Sequence, residues 1–86
     1  MKTCKYKITM VGGGSYNWSP RLLCDIVQTP ELEGSEIVLL DKNLPAALEV
    51  KAAMERVCSD NGRNFNFTAT KSEESAFRNA DFVIIT

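Results

Sequence analysis

The chain has 86 residues, with ten Lys and Arg against eleven Asp and Glu, a net charge of −1 and no histidine. Its cations are scattered and its apolar runs are short, so the composition argues against a nucleic-acid partner and leaves no segment able to span a membrane. Without histidine, no imidazole base, His-ligated metal or serine-type triad can be assembled from these residues.

The first strand is predicted from about Lys5 to Val11 and runs straight into Gly12-Gly13-Gly14-Ser15. The basic start over residues 1–7 fits this strand better than a signal peptide, because the apolar stretch after it is interrupted by Thr9 and ends in glycine. A loop over Gly12–Trp18 leads to Ser19-Pro20, a capping residue and a proline preformed for the first helical turn. Leu22, Leu23, Ile26 and Val27 then share one helical face, and Thr29-Pro30 stops the helix. Glu31–Ser35 reads as a polar connection. The second strand, Glu36–Asp41, is apolar on both faces, as a buried parallel strand should be.

Asn43 before Leu44-Pro45 signals a second helix, along which Ala47, Val50, Met54, Val57 and Cys58 keep a near-3.6 period. Asp60-Asn61-Gly62 ends it. Phe65, Phe67 and Ala69 alternate with Asn66, Thr68 and Thr70 and predict a third strand. Ser72-Glu73-Glu74-Ser75 opens a short helix carrying Ala76 and Phe77, with acids in its first turn as the helix dipole prefers. Phe65, Phe67 and Phe77 are assigned to the core. Asp81 leads into a fourth strand ending at Thr86. The order βαβαβαβ predicts an α/β fold, the first half of a Rossmann-like parallel sheet with right-handed crossovers and helices on both faces. A chain of this size buries only about 60–65% of its unfolded surface, and its last strand reads as a central one. Residues 1–86 are therefore expected to be the N-terminal fragment of a longer protein.

A strand that breaks at a glycine run, opens a helix and returns to a strand ending in a carboxylate is how a βαβ unit holds a dinucleotide. Glycine lets backbone N–H groups approach the pyrophosphate, and the following helix adds unpaired N–H donors and a positive dipole end. The expected cofactor residues are Gly12, Gly13, Gly14 and Ser15 for the pyrophosphate and Asp41 for the adenosine ribose. The third glycine of the standard fingerprint is replaced by Asn17. A carboxylate at Asp41 repels a 2′-phosphate and favours NAD over NADP, a preference that Lys42 weakens. Tyr16 and Trp18 either wall the cofactor or pack beneath the loop, and Arg21 reads as a solvated cation. Cys4, Cys24 and Cys58 fit no zinc or redox spacing and read as reduced thiols of a cytoplasmic protein.

The run Lys7–Ser15, then Pro20-Arg21-Leu22-Leu23, Thr29-Pro30-Glu31-Leu32, Glu36–Asp41 and Ala80–Ile85 closely resembles glycoside hydrolase family 4 over essentially the whole chain. That resemblance covers only the N-terminal part of the family's length, and it implies that residues 1–86 are the N-terminal part of an NAD-binding Rossmann domain, with the rest of that domain and a substrate and metal domain absent. It implies an NAD- and divalent-metal-dependent glycosidase in which NAD⁺ takes a hydride from C3 of the sugar. The C2 proton is then removed, the aglycone leaves by elimination, water adds and the hydride returns, outside the paired-carboxylate scheme. It further implies Mn²⁺ or another divalent ion, a small-molecule glycoside as substrate and a homo-oligomer when complete. The family's metal ligands and catalytic base fall beyond Thr86, so no catalytic or metal residue is expected here. The loop Tyr16-Asn17-Trp18-Ser19 looks one residue longer than in 6-phospho-glycosidases, which tilts the expected substrate toward an unphosphorylated sugar. A hydroxy-acid dehydrogenase fragment and a non-catalytic nucleotide-binding module remain the alternatives.

Overall fold

The computed structural model of the chain describes residues 6–12 and 19–85. Strand β1 (Lys7–Val11) is followed by helix α1 (Ser19–Val27), a 3₁₀ turn at Pro30–Leu32, β2 (Glu36–Leu40), α2 (Leu44–Asn61), β3 (Asn66–Thr70), α3 (Glu73–Phe77) and β4 (Phe82–Ile85). The strands form one sheet in the order β3-β2-β1-β4, and every pairing is parallel. The chain winds outward from β1 through β2 to β3, then crosses back to lay β4 on the far side of β1. The reversal makes the carboxyl ends of β1 and β4 a topological switch point, where open α/β sheets leave a crevice for ligands.

Strand periodicity divides the core. Ile8 lies level with Ile37 and Phe67, and Met10 with Leu39. Together with Leu23, Val27, Val50 and Met54 they form the main core, beneath α1 and α2. The intervening residues Val38 and Leu40 point to the other face, where they pack with Ala76 of α3. Helices therefore cover both faces, as the sequence predicts.

One feature adds to the sequence-based expectation and another corrects it. The connection after α1 is ordered, because Thr29 Oγ1 donates to Asp25 O (3.0 Å) and Ser35 N–H to Leu32 O (3.1 Å). Leu32 packs against the main core. The core assignment of Phe77 is corrected, since its side chain is 42% exposed while Ala76 is fully buried. Successive helical residues are rotated by about 100°, and in a five-residue helix only Ala76 takes the sheet-facing position.

Polar clasps bind α3 and β4 to β1. The Lys7 N–H donates to Asp81 Oδ2 (2.7 Å), and its ammonium donates to the carbonyls of Ser75 (2.8 Å) and Arg78 (2.6 Å). Those carbonyls belong to the end of α3, where a cation opposes the dipole's negative pole. The buried Thr9 hydroxyl donates to Ala76 O. Beyond these contacts β4 is thinly covered, with Phe82, Val83 and Ile85 exposed by 52%, 47% and 79%.

Candidate functional site

The sheet delivers two predicted site residues to one place. After Val11 the chain turns at Gly12, whose φ of +85° is left-handed backbone that a side chain disfavours. The Gly12 N–H donates to Leu40 O at 2.8 Å, so the turn begins as an extension of the β1–β2 pairing. Gly13, Gly14 and Ser15, together with Tyr16, Asn17 and Trp18, lie outside the described residues.

Asp41 follows the last residue of β2. Its N–H donates to Thr70 O (3.1 Å), which keeps its backbone in line with β3. Its Oδ1 accepts the N–H of Asn43 at 2.8 Å, and Asn43 Oδ1 in turn accepts the N–H of Ala46 at 3.3 Å. The carboxylate is thus fixed by the turn that opens α2, and a carboxylate retains acceptor sites for further donors. Asp41 and Gly12 line the same open cleft of 260 Å³, floored by Val11 and Leu40.

The cleft contains two residues that the sequence reading passed over. Lys71 and Glu73 line it together with Lys42. The available signal was topological, because in a parallel sheet the residue after β3 lies beside the residue after β2, and Leu40 is level with Thr70. Thr70 Oγ1 accepts the N–H of Ser72 (3.0 Å) and Ser72 Oγ accepts that of Ser75 (3.2 Å), which sets the start of α3 and the position of Lys71 before it. Neither Lys42 nor Lys71 has an ion-pair partner among the described residues. Arg21 is exposed on α1.

The two described thiols, Cys24 and Cys58, lie away from this cleft, at the main core beneath α1 and α2. Cys58 is buried and Cys24 half-buried, both unpaired by disulfide. Burial pushes the Cys58 thiol up from its ordinary value, and the neighbouring Cys24 adds to the shift. A thiol so shifted is a poor nucleophile at neutral pH. Among the described residues no group of three or more His, Cys, Asp or Glu side chains comes together, and no helix is long and apolar enough to cross a membrane.

The family model for the family 4 glycosyl hydrolases matches residues 7–86. An α-glucosidase of Erwinia rhapontici is 42% identical over 81 residues, covering 92% of this chain and 17% of the relative. An α-galactosidase of Rhizobium meliloti (strain 1021) is 29% identical over 79 residues, covering 92% of this chain and 16% of the relative. Among solved structures, a 6-phospho-α-glucosidase from gut microorganisms in complex with NAD and Mn²⁺ superposes with a TM-score of 0.81 at 24% identity. It matches 95% of this chain, which spans 19% of that one. A 6-phospho-β-glucosidase from Thermotoga maritima gives a TM-score of 0.71 at 25% identity, with 93% of this chain and 19% of that one covered.

Proposed function

Because the chain belongs to family 4 of the glycosyl hydrolases, we propose that it is the N-terminal part of an NAD-binding Rossmann domain in a glycosidase that hydrolyses O-glycosidic bonds. The observation that carries this reading is the meeting of Gly12 and Asp41 in one cleft at the carboxyl ends of β1 and β2. The residues present fit a dinucleotide. Gly12 supplies a left-handed turn, Asp41 a positioned acceptor for ribose hydroxyls, and Val11 and Leu40 an apolar floor. Since the Gly12 N–H is engaged by Leu40, its part is to shape the turn, and the phosphate-facing donors are assigned to Gly13, Gly14 and Ser15. When bound, NAD supplies a hydride acceptor for C3 of the sugar. This chain's residues hold and orient that cofactor, which brings a reactive ring within reach of substrate.

The remaining elements of the reading rest on the family and its relatives. A divalent metal, Mn²⁺ in the similar glucosidase structure, is assigned to ligands outside this chain, as is the catalytic base. The substrate is a small glycoside, unphosphorylated by the length of the glycine loop and in keeping with the names of the α-glucosidase and α-galactosidase relatives. The intact protein is placed in the cytoplasm as a homo-oligomer, the location in keeping with the free thiols of Cys24 and Cys58.

The test uses the intact protein. Asp41→Ala should weaken NAD binding by about 1–3 kcal/mol, the scale of a lost hydrogen bond to a charged group, measured by fluorescence titration. Hydrolysis should require NAD without net accumulation of NADH, and the product should carry solvent deuterium at C2. Turnover that persists after NAD is stripped, with C2 retaining its original hydrogen, overturns the proposal.

A further inference from the structure

We infer that the cleft beside Asp41 also accepts a phosphate on the adenosine ribose, held by Lys42 and Lys71, so that NADP binds there as well as NAD. The inference rests on the dinucleotide reading of the site and concerns only which dinucleotide it takes.

A carboxylate that ends the second strand selects NAD in two ways, by accepting both ribose hydroxyls and by repelling a phosphate in place of one of them. The second effect depends on the field around the carboxylate rather than on that group alone. Among the described residues, the charged groups lining the cleft are Asp41 and Glu73 against Lys42 and Lys71, so their formal charges cancel. The repulsion that Asp41 would exert on a phosphate is therefore opposed by two cations on the same opening.

The two cations are placed and available. Lys42 follows Asp41 directly, and Lys71 is one residue beyond Thr70, which is level with Leu40 across the β2–β3 pairing. They stand on adjacent strand ends and line the same opening. Of the other described basic residues, Lys51 pairs with Glu55 (3.2 Å), Arg63 with Glu33 (3.5 Å) and Arg78 with Glu74 (2.7 Å), Lys7 donates to two carbonyls, and Arg21 and Arg56 do not line this cleft. Lys42 and Lys71 are both exposed and have no ion-pair partner among the described residues. An ammonium offers three donors and no acceptor, which suits a phosphate and gives nothing specific to a neutral ribose hydroxyl. Glu73 keeps the site from becoming a general anion trap, since a phosphate must enter beside an acid as well as two cations.

The experiment measures dissociation constants of the intact protein for NAD⁺ and NADP⁺ by calorimetry, at low and raised salt. NADP⁺ should bind within about tenfold of NAD⁺, and its affinity should fall more steeply with salt. The double variant Lys42→Gln/Lys71→Gln should shift the ratio of the two affinities toward NAD⁺ by about tenfold or more, the effect of losing charge-assisted bonds. Lys71→Glu should shift it further, whereas Lys51→Gln, on the outer surface of α2, should leave it unchanged. Both cleft lysines are exposed, and circular dichroism identifies any variant that fails to fold. Tight NAD⁺ binding with NADP⁺ weaker by about a hundredfold or more, or a ratio indifferent to the lysine substitutions, overturns the inference and leaves the NAD reading standing. Failure of both dinucleotides to bind overturns the two together.

Discussion

At the scale of single residues, one buried polar contact ties the middle of β1 to the helix on its α3 face. Thr9 is fully buried in the central strand, and its hydroxyl donates to the Ala76 carbonyl of the helix on the opposite face from α1 and α2. Thr9→Val keeps the volume and removes the donor, leaving a buried carbonyl without that partner. A loss of about 1–3 kcal/mol is expected, read from the denaturant midpoint of the intact protein. An unchanged midpoint would mean that Ala76 O finds another donor. Legibility at this scale was uneven. Asp41 and Gly12 were legible as candidates because residue type and position after a hydrophobic run single them out, and both line one cleft. Lys71 was not, because a lysine after a strand is ordinary until pairing sets it beside Asp41. Phe77 was misassigned for a related reason: its apolar character says that it can be buried, and only the length of α3 decides that it is not.

The elements were mostly readable because their ends carry their own signals. Asn43 caps α2 through the Ala46 N–H, Ser72 caps α3 through that of Ser75, and Gly62 closes α2 at φ +67°. At Gly62 an added Cβ would meet nothing within 4 Å, so the cost of a side chain is purely conformational. Gly62→Ala should therefore destabilise the fold by about 1–2 kcal/mol, and Gly62→Asn by less, since asparagine tolerates this conformation. Equal thermal midpoints for Gly62→Ala and the parent would show that α2 ends otherwise in solution. The 3₁₀ turn at Pro30–Leu32 was not legible because it is only three residues long, and its order comes from hydrogen bonds back to α1 and from Leu32 reaching the core. Such a turn has no periodicity to detect.

Over the whole molecule, the class of fold was legible, and the order β3-β2-β1-β4 is that of the expected Rossmann-like half-sheet. Alternating strands and helices dictate a parallel sheet, but the placement of β4 beside β1 rather than β3 comes from long-range pairing. That placement leaves Phe82, Val83 and Ile85 exposed on a strand paired along one edge. An unpaired apolar edge invites another strand, so the isolated 86-residue chain should associate with copies of itself. Sedimentation should show this at micromolar concentration, and Val83→Lys with Ile85→Lys should reverse it; a monodisperse parent would contradict it. The Lys7–Asp81 clasp has a further consequence, in time rather than space. It joins residues 74 apart in sequence, and contacts of such separation form late because the intervening chain must first be ordered. In folding, β1 is therefore expected to pair with β2 before it gains β4 as its second neighbour, so that the Gly12–Asp41 side of the cleft forms ahead of the crevice between β1 and β4.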